Sequence, residues 1–306
     1  DFCLLQYRPA LWQPADSIIV GKNLAEGLST SWSQDVLRST LLDLPAERLR
    51  ALFPERSEYD VLVVGSDSKP DSVNTRATVK VDLALLEAAA RDIEATRASL
   101  ERVGFYAEDL GASNNWVVNG RRTETGKPIL ANDPHLRASV PSIWHMVHLQ
   151  SGKLNVIGVT FPGAPGVILG HNSRIAWGST NLTVDQQDVY EEYFDPQNPR
   201  RYKTVDGWRE AEVYTEEIKV RKSLLSPETE TVKLEVRVTH HGPIFLEAGG
   251  KSYALKWNAL DPTENVIGAF HKINRARNWR EFRAALKLYS GPAQNFVYAD
   301  VDGHIG

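Results

Sequence analysis

The 306-residue sequence holds a single cysteine, Cys3. One thiol can neither close an internal disulfide nor build a cysteine-based zinc centre, so a disulfide-stapled scaffold and a zinc-finger-type module are both excluded. Compartment stays open, because a cysteine-poor chain suits periplasm and cytosol alike. Long hydrophobic runs are missing too. No stretch approaches the roughly 18–20 apolar residues of a bilayer-crossing helix, and the opening Asp1-Phe2-Cys3 leads into no charged-then-apolar export pattern. No membrane partner is expected. An excess of one charge is also absent: 35 Lys and Arg against 39 Asp and Glu leave a formal net charge of −4. Such a balance provides no basic field for nucleic acid, which is excluded as a partner. What is present, 42% hydrophobic and 24% charged residues, suffices for two average domains or one large sheet-rich one.

Residues 11–53 read as helical, with Leu24, Leu28, Val36, Leu37, Leu41, Leu49 and Leu52 at helical intervals and Pro45 opening a short second helix after Asp43. Residues 54–79 gather Gly65, Ser66, Asp67, Ser68, Pro70 and Asn74, a polar composition that buries little and predicts a linker or loop. Residues 81–103 predict an amphipathic helix, with Leu86, Ile93 and Leu100 seven apart, ending near Gly104. Beyond Gly111 the texture changes to short β-branched and aromatic runs at 116–118, 143–149, 154–161, 167–169, 175–177, 213–220, 232–238 and 253–257. Asp206-Gly207 and Gly249-Gly250 are turn signals. Asn278 caps a late helix with apolar face Trp279, Phe282, Ala285, Leu286 and Tyr289; Trp279 and Phe282 read as core. A final strand follows at 295–299, and Asp302-Gly303 marks a tight turn, so the sequence is expected to stop inside an element of a longer protein. His145, His148 and the pair His240-His241 are expected to be structural, since no Glu or Cys at ligand spacing accompanies them and a strand splits neighbours between its faces.

Chemistry concentrates at Gly111-Ala112-Ser113-Asn114-Asn115-Trp116, where small residues lead into a serine at the start of the sheet-rich half. There is no Gly-x-Ser-x-Gly elbow, so a Ser-His-Asp hydrolase has no anchor. Cutting the Ala112–Ser113 bond would give Ser113 a free α-amino group with a pKa of about 7.7–8.0, placing nucleophile and general base on one residue. A structural loop serine is the competing reading. Asp185, Gln187 and Asp188 form a second constellation: two carboxylates and a backbone carbonyl suit a hard cation such as calcium, while a merely solvated acidic loop is the alternative.

Ser113-Asn114-Asn115-Trp116-Val117-Val118, then Ala131-Asn132-Asp133-Pro134-His135-Leu136, Pro162-Gly163, Gly170-His171-Asn172 and Trp177-Gly178-Ser179-Thr180 resemble, in order and spacing, the penicillin acylase family of N-terminal nucleophile hydrolases. Gln294-Asn295-Phe296-Val297-Tyr298-Ala299-Asp300 resembles the family segment that carries a catalytic asparagine. The likeness covers 113–306, with a thinner match over 12–38.

The resemblance implies an α+β fold of the four-layer αββα sandwich type. It implies residues 1–55 as the helical end of a small chain, 56–112 as linker and spacer, and 113–306 as the start of a large chain. Ser113 would be freed by self-cleavage after Ala112 and would attack the amide of a small N-acyl substrate, forming an acyl-enzyme. The side chain of Asn295 and the backbone N–H of Asn181 match the oxyanion hole. His135 falls where penicillin G acylases have glutamine and where cephalosporin and acyl-homoserine lactone acylases have histidine, which keeps that second activity as an alternative. Leu24, Leu28, Leu136, Leu169 and Ser179 match the acyl pocket, implying a hydrophobic acyl group. Asp185, Gln187 and Asp188, with Asp35 from the small chain, match calcium ligands. The ion would tie the two chains of the precursor together, and no organic cofactor is implied. A periplasmic or extracellular setting follows from the family alone. A catalytically silent fragment or binding module is the alternative of another class.

Overall fold

The computed structural model describes residues 9–29, 31–52, 81, 83–103, 113–136, 140, 142–182, 184–223 and 226–306. The linker expected at 54–79, the helix end at Gly104 and the Ala112 side of the expected cleavage point lie outside the described residues. Four helices come first: α1 (Pro14–Leu28), α2 (Trp32–Thr40), α3 (Ala46–Leu52) and α4 (Leu83–Val103). Strands then dominate: β1 (Asn114–Val118), β2 (Ile129–Asp133), β3 (His145–Ser151), β4 (Leu154–Thr160), β5 (Leu169–Asn172), β6 (Ile175–Asn181), β7 (Gln187–Glu192), β8 (Phe194–Asp195), β9 (Asn198–Thr204), β10 (Gly207–Glu210), β11 (Glu212–Arg221), β12 (Thr229–Val238), β13 (Ile244–Ala248) and β14 (Lys251–Trp257). Helices α5 (Val266–Ile273) and α6 (Trp279–Leu286) precede the last strand, β15 (Gln294–Asp300). The chain is mixed α/β with several antiparallel sheets.

The largest sheet is five-stranded and antiparallel, in the order β15-β6-β5-β4-β3. Its strands are rich in β-branched and aromatic residues, and alternation sends Val156, Ile175, Trp177 and Tyr298 to one face, where α5 and α6 cover them with Phe270, Ile273, Phe282 and Ala285. Each such large side chain, once fully buried, contributes about 1.5–3 kcal/mol. Asn278 caps α6 as expected, its Oδ1 accepting the Glu281 N–H at 3.0 Å. By the same alternation Asn295 faces away from α6, toward the side where β1 and β2 pair with each other and lie against β6 and β15.

A second seam joins the two halves of the sequence. Trp32 and Val36 of α2 and Leu85, Ala88 and Ala89 of α4 bury against Leu246 and Tyr253 of the three-stranded sheet β13-β14-β7. Gly249 and Gly250, at φ 58° and 77°, make the β13–β14 turn, a backbone conformation that side-chain-bearing residues resist. Separate antiparallel pieces are formed by β8, β9 and β10 and by β11 and β12.

Several expectations need correction. The helical stretch 11–53 breaks between α1 and α2, where the Ser31 hydroxyl accepts the backbone N–H groups of Gln186 and Gln187 at 3.2 and 3.1 Å. Helix α4 buries Leu85, Ala88 and Ala89, with Leu86 half-buried against the same cluster, whereas Ile93 of the expected stripe is exposed. Its core-facing line runs on into Asp92, whose carboxyl is raised by burial. Trp279, expected in the core, is 40% exposed and lays only part of its ring on Phe282 and Tyr298. Helix α5 was not foreseen.

Candidate active site

Ser113 stands immediately before β1. The β1–β2 pairing sets Asn114 opposite Asp133 and Asn115 opposite Asn132, which brings the segment after β2 back beside the serine. There the backbone N–H of His135 donates to Ser113 Oγ at 3.2 Å, fixing the hydroxyl. The imidazole turns the other way: its Nε2 lies 2.9 Å from Asp133 Oδ2, in an exposed pair.

The side chains of two asparagines join this two-stranded unit to the large sheet. Asn132 Nδ2 donates to the Ser179 carbonyl at 2.9 Å and the Asn114 carbonyl at 3.1 Å, while its Oδ1 accepts the Ser179 N–H at 3.0 Å. Glycine is required beneath it, because a Cβ on Gly178 would stand 2.8 Å from the Asn132 Cβ. Asn115 Nδ2 donates to the Asn295 carbonyl at 3.1 Å. Asn295 itself pairs with Thr180 across β15 and β6, donating one side-chain N–H to Thr180 Oγ1 at 3.2 Å. The side-chain amide has a second N–H to offer. Asn181 is opposite Gln294, so Asn181 and Asn295 are diagonal neighbours on these two strands. The Asn181 side chain reaches the Leu28 carbonyl at 3.2 Å, tying β6 to α1.

Beside Ser113 a cavity of about 250 Å³ opens between α1 and the sheets. All five residues expected in the acyl pocket line it: Leu24 and Leu28 from α1, Leu136 after β2, Leu169 from β5 and Ser179 from β6. Asn181 lines it as well; His135 and Asn295 do not. Trp144 and Phe161, stacked at 4.3 Å, add an aromatic wall. The volume is slightly below the usual range of small-molecule sites, about 300–1,000 Å³, and the lining is mainly apolar. One end is polar: Lys22 of α1 bonds Glu264 and the Ala259 carbonyl. Burial, reinforced by Glu264, pushes the Tyr289 phenol far up, so that it stays neutral and donates to the Pro292 carbonyl at 2.6 Å.

The acidic constellation is assembled from both halves of the sequence. Carboxylate oxygens of Asp35, in the first turn of α2, and of Asp185 and Asp188, flanking the start of β7, lie within 4.8 Å of one another. Gln187 is buried, and its Oε1 accepts the backbone N–H of Ser31 at 3.1 Å, leaving its main chain rather than its side chain for any ligand role.

The motif segments contain Asn132 and Thr180, but their linking roles depend on contacts between strands distant in sequence. The expectation for His240-His241 needs revision. The two lie not on a strand but in the tight Thr239–Gly242 turn, and a glutamate does accompany them, Glu192 of β7, 2.8 Å from His241 Nδ1.

Comparison with known proteins bears on the whole chain. The sequence profile described as penicillin amidase matches residues 1–306. The acyl-homoserine lactone acylase QuiP of Pseudomonas aeruginosa is 29% identical over all of this chain and 36% of its own length. The penicillin acylase 2 proenzyme of Pseudomonas sp. strain SE83 is 27% identical over all of this chain and 38% of its own. Among solved structures, a thermostable penicillin G acylase from Alcaligenes faecalis matches with a TM-score of 0.55 and 29% identity, covering 62% of this chain and 34% of that one. The chain thus spans little more than a third of the relatives' length. With a profile match from end to end, the chain belongs to the penicillin amidase family.

Proposed function

We propose that this chain is part of an amide hydrolase that cleaves N-acyl substrates with Ser113 as an N-terminal nucleophile. The observation that carries this is the shared cavity, where Ser113, its hydroxyl held by the His135 N–H, stands among the leucines that would receive an acyl group.

The steps follow from charge and proton balance. The free α-amino group of Ser113 takes the proton from its own Oγ, which attacks the substrate carbonyl. The negative oxygen that develops is met by the second N–H of Asn295 and the backbone N–H of Asn181, donors typically worth about 3–4 kcal/mol each to the barrier. The resulting α-ammonium protonates the departing amine, leaving the acyl group as an ester on Oγ. Water, deprotonated by the same amine, then releases the acid. Before maturation the Ser113 nitrogen is an amide and cannot act as this base, so the Ser113 hydroxyl instead attacks the Ala112 carbonyl and water opens the ester formed.

Maturation would divide the sequence into a small-chain end at 1–55, a linker and spacer at 56–112 and a large chain from 113. The seams of α5 and α6 on one sheet and of α2 and α4 on another support a four-layer αββα sandwich. Asp35, Asp185 and Asp188 fit a calcium ion: three carboxylates within 4.8 Å match oxygen ligands held at about 2.3–2.6 Å from a hard cation. Bound there with the Gln187 carbonyl, calcium would offset their mutual repulsion and link α2 to β7.

His135 supports a second reading, an acyl-homoserine lactone or cephalosporin-type acylase, with the same chemistry on another acyl group. The test is a panel of phenylacetyl, glutaryl and long-chain acyl amides given to the full-length parent protein, with released amine measured. Turnover of a hydrophobic acyl amide is expected. Neglect of all three would leave a binding module as the better account.

A further inference from the structure

We propose that Glu192, His240 and His241 form a binding site for a divalent transition-metal ion of the zinc type, separate from the Ser113 cavity and from the acidic constellation. Glu192 ends β7, and its carboxylate is buried, with a side-chain exposure of 3%. Desolvation of an unpaired carboxylate costs several kcal/mol; here Oε1 accepts from the Thr239 hydroxyl at 2.7 Å and lies 2.8 Å from His241 Nδ1. Facing it is the Thr239–Gly242 turn between β12 and β13, closed by hydrogen bonds in both directions between the Thr239 and Gly242 backbones. A turn, unlike a strand, lets adjacent side chains point the same way, and the two imidazole centroids lie 3.8 Å apart with the rings tilted by 37°. One nitrogen from each ring and a Glu192 oxygen lie within 4.8 Å of one another.

Both rings have partners in the structure, and His241 is the more firmly held. Tyr190 stacks flat on His241 at 3.8 Å and 11°. The Tyr202 hydroxyl lies 3.2 Å from His240 Nδ1, the kind of outer partner that orients a ligating imidazole and leaves its Nε2 for a metal. Imidazole nitrogens and one carboxylate are the ligand types that suit zinc, at about 2.0–2.1 Å and hence roughly 3.4 Å apart in a tetrahedron. Rotation of the His240 side chain, at an exposed position, supplies the small closure required. An ion there would replace the proton shared by His241 and Glu192 and clip the β12–β13 turn to the end of β7.

The test uses the full-length parent protein, stripped with a chelator, kept in excess calcium to fill oxygen sites and dialysed against zinc. Bound zinc is counted by elemental analysis and thermal unfolding is recorded with and without the metal. The parent should hold one more zinc than the His240→Ala/His241→Ala variant and should gain a zinc-dependent rise in Tm that the variant lacks. Glu192→Gln should weaken zinc binding by about tenfold or more. Should the double variant not fold, His240→Ala alone, at an exposed position, is compared with the parent using cobalt and its visible absorbance. Equal zinc counts, or equal cobalt spectra, in parent and variant would overturn the proposal.

Discussion

Two helix-on-sheet seams differ in where their residues come from. In the first, α5 and α6 cover the five-stranded sheet, and every buried member from Val156 to Tyr298 follows Ser113 in the sequence. In the second, Trp32, Val36, Leu85, Ala88 and Ala89 precede Ser113 while Leu246 and Tyr253 follow it. The site divides the same way. The proposed reacting groups are tied to the first seam's sheet through Asn132, Asn115 and Asn295, whereas Leu24 and Leu28 of α1 line the cavity from the other half. The cavity wall is thereby shared: Leu24 and Leu28 come from before Ser113 and Leu136, Leu169 and Ser179 from after it, so under the proposed function the α1 part of the wall should be alterable separately from the strands that carry Asn295.

The hardest break is at the proposed nucleophile. Ser113→Ala should lower turnover by about 10⁶-fold and leave the parent chain uncut, read from single-turnover kinetics and intact mass. Next comes the seam beneath it. Phe282, 1% exposed between α6 and the sheet, should cost about 3–5 kcal/mol as Phe282→Ala in urea unfolding, taking the site with it. Asn295→Ala should reduce kcat by about 10²–10³-fold with little loss of stability, since its side chain is exposed and only one of its N–H groups is engaged, by Thr180. The mildest change sharpens the division instead of breaking it. Leu28→Ala enlarges the cavity from the α1 side and should shift kcat/KM toward longer acyl groups by about 10–200-fold, with the rate of the acyl-transfer step on the preferred substrate little altered. If Leu28→Ala and Asn295→Ala gave the same pattern of kcat and KM changes, the two halves would not be separable.

Much of this was legible in the residues. Alternation of β-branched and aromatic side chains found β4, β6, β12 and β15, and Asn278 announced α6. Helix α5 escaped because Val266, Ile267 and Gly268 open it, two β-branched residues and a glycine; the Asn265 cap and the spacing of Val266, Ala269, Phe270 and Ile273 were the available clues. The α4 stripe was misplaced by one residue since a sevenfold repeat of Leu86, Ile93 and Leu100 outweighed small Ala88 and Ala89. At the site, the family resemblance grouped Ser113 with the leucines that line the same cavity, and Asp35 with Asp185 and Asp188, whose carboxylates lie close together. Contacts formed by distant strands were beyond it: Glu192 lies 49 positions from His241, and only the pairing of β14 with β7 and the turn after β12 bring them together.

The central claim, that the amine of residue 113 is freed and serves its own hydroxyl, is tested most directly by determining the N-terminus of the large chain in a fully active preparation of the parent protein. A sequence beginning Ser113-Asn114-Asn115 is predicted. Full activity with Ala112 still attached would contradict it.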